Sequence, residues 1–192
     1  MQYFKKSFRE ADPTAYSALS DEEVWNELRR GAKNALGCIY QRYFDILYNY
    51  GMKFCRDEER IKDCIQDLFV NLWKSRATIS STSSVKFYLF VCLKRSITDH
   101  RPFFEQSANN FEFVASREDE LIIEQSREQE RVQLLRLINK LSRRQKEVLY
   151  LRYFEGLSTR EVAALMSLNV KSVYVLLSKA LDFLRKRRNK FF

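Results

Sequence analysis

Residues Ser158 to Arg188 constrain the fold more than any other stretch, because they hold two helical patterns with almost nothing between them. Ser158 followed three residues later by Glu161 is a capping-box signature, so a helix starts there. Val162, Ala163, Leu165 and Met166 give that helix a buried stripe. The pattern stops at Ser167-Leu168-Asn169, and Asn169 is a good N-cap for a longer helix from Val170. At about 100° per residue, Val170, Val173, Leu176, Leu177, Ala180, Leu181 and Leu184 fall on one side. Lys171, Ser172, Val175, Ser178 and Lys179 fall on the other. Two helices joined by so short a turn fit a helix-turn-helix, whose second helix enters the DNA major groove. The outer side chains suit that placement. Lysine reaches guanine or phosphate, serine bonds either base edge, and Val175 can touch a thymine methyl. The same pattern also occurs in helical proteins that read no DNA, and charge weighs between the two. From Lys140 to Phe192 there are 13 Lys and Arg against 4 Asp and Glu, a net of +9 that equals the excess of the whole chain. A basic excess gathered around a candidate recognition helix is the electrostatic footprint expected on phosphate.

The rest of the composition fits a helical protein. The 192 residues suffice for one domain or two small ones, and 45% hydrophobic content suffices for a packed core. Only four Gly and two Pro argue against a turn-rich β protein, so the expected fold class is all-α. No run approaches twenty apolar residues, which predicts no membrane insertion. The segment MQYFKKSFREADPTAY lacks the apolar core and cleavage site of a secretory signal, so a cytoplasmic location is expected. Cys38, Cys55, Cys64 and Cys92 form no CxxC pair, and the single histidine, His100, completes no metal set. Reduced thiols, no metal and no cofactor are the expectation.

In chain order, residues 1–19 read as an N-terminal extension. Ser20 and Glu23 form a second capping box, opening a helix with Val24, Trp25 and Leu28 that Gly31 ends. A longer pattern runs from Ala35 through Ile39, Tyr43 and Leu47 to Phe54, its aromatics read as core. Asp57-Glu58-Glu59 opens a helix to about Trp73, acidic where the helix dipole favours acid. Its inner face is Ile61, Cys64, Ile65, Leu68 and Leu72; its outer face carries Asp63, Gln66, Asp67, Val70 and Trp73. A valine and a tryptophan among carboxylates form either a protein-docking patch or, with Trp73 folded over the helix end, ordinary burial. Residues 78–84, TISSTSS, make a polar loop. The next helix spans about Val85 to His100, with Val85, Leu89, Cys92, Leu93 and Ser96 inward. Phe87, Val91, Lys94, Arg95 and Thr98 face outward, with Arg101 just beyond. Cations beside an exposed ring provide what single-stranded nucleic acid needs, although a solvated basic face explains the cations equally well. From Phe104 to Glu130 eight acidic residues meet two basic ones, a net of −6, which reads as an acidic linker. A helix with Leu134, Leu135, Leu137, Ile138 and Leu141 follows, starting between Glu118 and Glu128. Ser142 caps another, with Val148, Leu149 and Leu151 inside, Arg152 toward solvent and Gly156 at its close. The basic tail Arg185–Lys190 adds phosphate affinity without sequence preference.

Together the segments DCIQDLFVNLW (Asp63–Trp73), FYLFVCLKRSITDHR (Phe87–Arg101) and the long run Leu141–Lys186 resemble a bacterial RNA polymerase sigma factor of the extracytoplasmic-function class, within the sigma-70 family. The resemblance implies a region 2-like domain over 20–103, an acidic linker over 104–124, and a region 4-like helix-turn-helix domain with basic tail over 125–192. It implies that Asp63, Gln66, Asp67, Val70 and Trp73 dock on core RNA polymerase. It assigns the promoter −10 element to Ser80, Ser81, Thr82, Ser83, Ser84, Phe87, Lys94, Arg95, Thr98 and Arg101, the loop Ser80–Ser84 capturing an unstacked base. It assigns the −35 element, as duplex, to Lys171, Ser172, Val175, Ser178 and Lys179. The linker is expected to thread the polymerase, and an anti-sigma factor is an expected partner. Three positions depart from the family: Arg95 where Asn is usual, Leu176 where Arg is frequent, and Val175 where polar residues are common.

The expected function is a promoter-specificity subunit that directs transcription initiation and assists melting without catalysing bond chemistry. A free-standing helix-turn-helix regulator is the alternative, but the first half shows neither alternating strands nor a phosphoacceptor cluster. An enzyme lacks support, since the sequence has no Gly-rich phosphate loop, metal cluster or nucleophile–histidine pairing.

Overall fold

Capping signals set most helix boundaries in the computed structural model, which describes residues 16, 18–54, 57–99, 111 and 125–188. The described residues hold eight α-helices and no strand, in agreement with the all-α expectation. These are α1 (Asp21–Arg29), α2 (Lys33–Met52), α3 (Glu58–Ser75), α4 (Val85–Asp99), α5 (Gln125–Asn139), α6 (Arg143–Leu149), α7 (Thr159–Leu165) and α8 (Val170–Arg188). The chain divides into two compact units, Met1–Glu105 and Gln106–Phe192. Cys55, His100, Arg101 and the basic tail beyond Arg188 lie outside the described residues.

In the first unit Ser20 caps α1 reciprocally with Glu23: the Ser20 backbone N–H donates to Glu23 Oε2 at 2.7 Å and the Glu23 N–H donates to Ser20 Oγ at 3.3 Å. Gly31 ends the turn after α1 at φ +94°, a left-handed conformation that favours glycine. Arg42 and Tyr43 of α2 hold the approach to α1. Arg42 reaches Asp21 at 2.7 Å and the Leu19 carbonyl at 2.7 Å, and the Tyr43 hydroxyl donates to Asp21. Helix α2 packs on α1, α3 and α4. At Gly51 a Cβ would lie 2.7 Å from Ile61 Cγ2, so only glycine allows α2 and α3 this close. The core is Val24, Trp25, Leu28, Leu47, Tyr50, Ile61, Ile65, Phe69, Leu89, Phe90 and Leu93, each essentially without solvent exposure. Burying each large apolar side chain contributes about 1.5–3 kcal/mol.

In the second unit α8 packs on α5, α6 and α7. Ser142 with Gln145 caps α6, and Ser158 with Glu161 caps α7 as expected. The helix from Ser142 does not continue as α: Tyr150–Phe154 forms a π turn, with the Glu155 N–H donating to the Tyr150 carbonyl at 3.0 Å. The stack of Tyr150 on Phe154, 5.9 Å between centroids and 15° between planes, accompanies this wider turn. Arg152, expected in solvent, is half-buried and donates from Nη1 to the Leu157 carbonyl at 3.2 Å. Of the leucine–isoleucine run in α5, Leu137 and Ile138 are buried while Leu134 is 49% exposed. Phe111, within the expected linker, is 1% exposed and meets the Tyr150 ring edge-on at 5.9 Å.

Candidate nucleic-acid interface

The first unit offers a loop, a cavity and an outward helix face. The loop joins α3 to α4, and its entry is pinned by α1. The Trp25 indole N–H donates to the Ser80 carbonyl at 3.1 Å, and Arg29 Nε donates to the Ile79 carbonyl at 3.0 Å. Neither residue figured among the sequence candidates. Trp25 follows a core pattern, and nothing local links it to a loop 55 positions away. Ser80, Ser81 and Ser83 are exposed, while Thr82 and Ser84 are half-buried. Thr82 Oγ1 accepts from the Ser84 N–H at 3.2 Å, and Ser84 Oγ accepts from the Phe87 N–H at 3.3 Å. Ser84 thus serves the first turn of α4.

Between α3 and α4 lies a cavity of about 360 Å³, open to solvent. That is within the usual range for small-ligand clefts. Asp67, Asn71 and Ser75 line it from α3; Tyr88, Cys92 and Arg95 line it from α4. The Tyr88 ring also receives Trp25, with 5.0 Å between centroids and 66° between planes. Burial pushes the Tyr88 hydroxyl up to about 12, with Cys92 adding to the shift, so the phenol stays neutral at neutral pH. Burial likewise raises the Cys92 thiol. The cavity therefore presents a neutral ring and hydroxyl, a carboxylate, an amide and a guanidinium.

The helical wheel of α4 needs two corrections. Cys92 and Ser96, expected inward, are half-buried and face this cavity, whereas Phe90 and Ile97 join Val85, Leu89 and Leu93 in the core. Phe87, expected as an exposed ring, is half-buried in the first turn of α4, its backbone N–H donating to Ser84 Oγ. Lys94 is half-buried; Arg95 and Thr98 are exposed, the Thr98 hydroxyl donating to the Lys94 carbonyl at 2.7 Å. Arg101 lies outside the described residues.

On α3 the inner face is buried as expected, with Phe69 added to it. Asp63 and Asp67 are exposed; Gln66, Val70 and Trp73 are half-buried. The Arg76 guanidinium lies 4.1 Å from the Trp73 ring centroid and donates to the Trp73 carbonyl at 2.7 Å. Trp73 is thus held in one orientation and remains partly open to solvent.

The second unit supplies the helix pair. The axes of α7 and α8 turn by 102° across their break, within the range of about 90–120° for helix-turn-helix units. Ser167 makes the turn at φ +54°, and Asn169 Oδ1 accepts from the Ser172 N–H at 2.7 Å to cap α8. Val173, Leu177 and Ala180 of α8 are buried with Val162, Ala163 and Leu165 of α7. Lys171, Val175, Ser178 and Lys179 are exposed, and Ser172 is half-buried. Val170, expected inward, is 38% exposed, because it starts the helix above its packed turns. Tyr174, absent from the sequence candidates, is 60% exposed on the same outer side. Its three-residue spacing from Lys171 was the available signal.

Among the described residues no group of His, Cys, Asp or Glu is placed to hold a metal ion. No single helix there is long and apolar enough to cross a membrane.

Known proteins place both units. Residues 39–101 match the family described as Sigma-70 region 2, and residues 131–184 match Sigma-70, region 4. The fold is similar to CnrH, solved in complex with the cytosolic domain of CnrY, at 20% identity and TM-score 0.58, covering 88% of this chain and 97% of that one. A chain of the RsbN-BldN complex aligns at 19% identity and TM-score 0.37, covering 84% of this chain and 97% of that one. No curated protein matches the chain by sequence.

Proposed function

This chain belongs to the sigma-70 family, with the region 2 and region 4 layout of its extracytoplasmic-function class, and from that membership we propose how its residues divide the work of a promoter-specificity subunit. Sigma-70 proteins bind core RNA polymerase and promoter DNA, and they select sites rather than catalyse bond chemistry. The helix-turn-helix alternative acting alone loses ground to the region 2 match, which a free-standing regulator does not need.

The outer face of α3 docks on polymerase through Asp63, Gln66, Asp67, Val70 and Trp73. Support comes from the exposed carboxylates beside a ring that Arg76 holds in place. The loop Ser80–Ser84 and the α3–α4 cavity take the melted −10 strand. An extruded base loses a few kcal/mol of stacking, so a shaped and partly dry site must return it. The cavity has that character: the Tyr88 ring offers a stacking or edge contact, while Asn71 and Arg95 offer an acceptor and donors for a base edge. Lys94, Arg95, Thr98 and Arg101 are assigned to the backbone of that strand, and the half-buried Phe87 ring to a base. Helix α8 reads the −35 duplex with Lys171, Ser172, Val175, Ser178 and Lys179. Asp182, exposed one turn further along α8, accepts from the Ser178 hydroxyl at 3.5 Å.

We place the protein in the cytoplasm, where the polymerase is. CnrH is held by the cytosolic domain of CnrY, and an anti-sigma protein that covers one of these surfaces is proposed here too.

The 102° helix-turn-helix in the region 4 match carries this reading most directly. Alanine variants test the division. Trp73→Ala weakens pull-down by core polymerase with helicity retained, and a collapse of helicity would make Trp73 a core residue instead. Lys179→Ala lowers holoenzyme affinity for the upstream element by about 1–3 kcal/mol where it reads a base. Unchanged affinity removes Lys179 from the reading surface.

A further inference from the structure

The base-reading chemistry available on α8 is narrow. The segment Val170–Lys179 contains no Arg, Asn or Gln, so any two-bond contact to a purine edge falls to Lys171 and Lys179, and adenine has no amide reader there. Asn169 does stand at the helix start, but its Oδ1 is committed to capping Ser172. What this stretch holds outward instead is apolar. Tyr174 is 60% exposed and Val175 is 44% exposed, adjacent residues standing between Lys171 and the Ser178–Lys179 pair. At about 100° per residue, Tyr174, Ser178, Lys171, Val175 and Lys179 share one arc of about 140°. Nothing in the packing of the second unit requires the two apolar side chains to be outside, since Val173 and Leu177 already fill the inner face.

We propose that Tyr174 and Val175 form a thymine-methyl reader, so that this protein recognises its upstream element through C5-methyl groups in the major groove more than through hydrogen bonds to purines. This inference rests on the −35 role of α8 given above. The major groove exposes one methyl per A·T pair, at the edge where an apolar side chain can exclude water from it. Lys171 and Lys179 flank the pair and supply a charged contact, to phosphate or to a guanine edge, at either side. Tyr174 contributes ring area with little side-chain entropy to lose, and its hydroxyl remains available to phosphate or water. The upstream element therefore carries thymine on one strand or the other at two neighbouring positions, and the methyl itself is what is read.

Replacing thymine by deoxyuridine removes the methyl and leaves every hydrogen-bonding group in place. The test uses holoenzyme reconstituted from the full chain and core polymerase. Its DNA probes are promoter duplexes whose upstream element comes from selection on a random library. Each thymine of that element is replaced singly by deoxyuridine, and affinity is measured. Wild type is expected to lose about fourfold at one or two neighbouring positions, the value of one buried methyl. Tyr174→Ala abolishes the loss at one of them and Val175→Ala at the other, while Tyr174→Phe keeps it. Wild-type affinity unchanged by every deoxyuridine, on an element whose scrambling still abolishes binding, overturns methyl reading and leaves the −35 role of α8 intact. Methyl dependence that survives in both alanine variants overturns the assignment to these residues. An element that can be scrambled without effect overturns the −35 role itself, and this inference with it.

Discussion

Trp25 has two duties that no helical pattern separates. Its ring is fully buried, as the spacing of Val24, Trp25 and Leu28 predicts, but its N–H also holds the Ser80 carbonyl at the entry of the loop between α3 and α4, for which base capture is proposed. Trp25→Phe keeps an aromatic in the core and removes that donor. It lowers stability by about 1–3 kcal/mol in thermal unfolding. It also reduces permanganate reactivity of melted thymines in the open complex while core polymerase binding stays unchanged. Melting equal to wild type would show that this hydrogen bond does not position the loop. The same limit governs the other residues that pattern reading misses. Ser84 and Thr82 look alike as loop hydroxyls in TISSTSS, yet the fold commits Ser84 to the start of α4. Spacing alone points Cys92 inward; it lines a cavity between α3 and α4, a fact of packing between elements.

Elements are legible wherever a boundary carries its own chemistry. The serine caps at Ser20, Ser142 and Ser158, the Asp57 and Asn169 caps, and the glycine stops at Gly31 and Gly156 all act within four residues of chain. The π turn Tyr150–Phe154 is not legible, because YLRYF suits an α-helix as well. Nor is the burial of Phe111, which depends on Tyr150 far along the chain. Composition alone lends Phe104–Glu130 the character of an acidic tether; an aromatic anchored in the second unit interrupts it. Phe111→Ala removes that anchor and lowers the stability of the second unit by about 3–5 kcal/mol. Both tryptophans, Trp25 and Trp73, belong to the first unit, so fluorescence follows that unit alone while circular dichroism follows both. The expected result is an earlier circular-dichroism transition with the fluorescence transition unmoved. Coincidence of both curves with wild type would show that Phe111 does not support the second unit.

At the scale of the molecule, two small helical units carry two kinds of DNA recognition. The first has a cavity and a pinned loop, suited to a base taken out of its stack. The second has a cationic helix with an apolar centre, suited to an intact groove. Charge is divided accordingly, with the net +9 of residues 140–192 beside the net −6 of residues 104–130. Family membership follows from the region 2 and region 4 matches, whereas the roles of individual side chains depend on these surfaces working together on one promoter. Transcription from a random promoter library, with core polymerase and the purified chain, tests that joint action most directly. The account predicts transcripts that require the chain and promoters that share two sequence blocks at a fixed spacing, the upstream block bearing neighbouring thymines. Failure of the chain to join polymerase, or transcripts whose promoters share only one block, would contradict it.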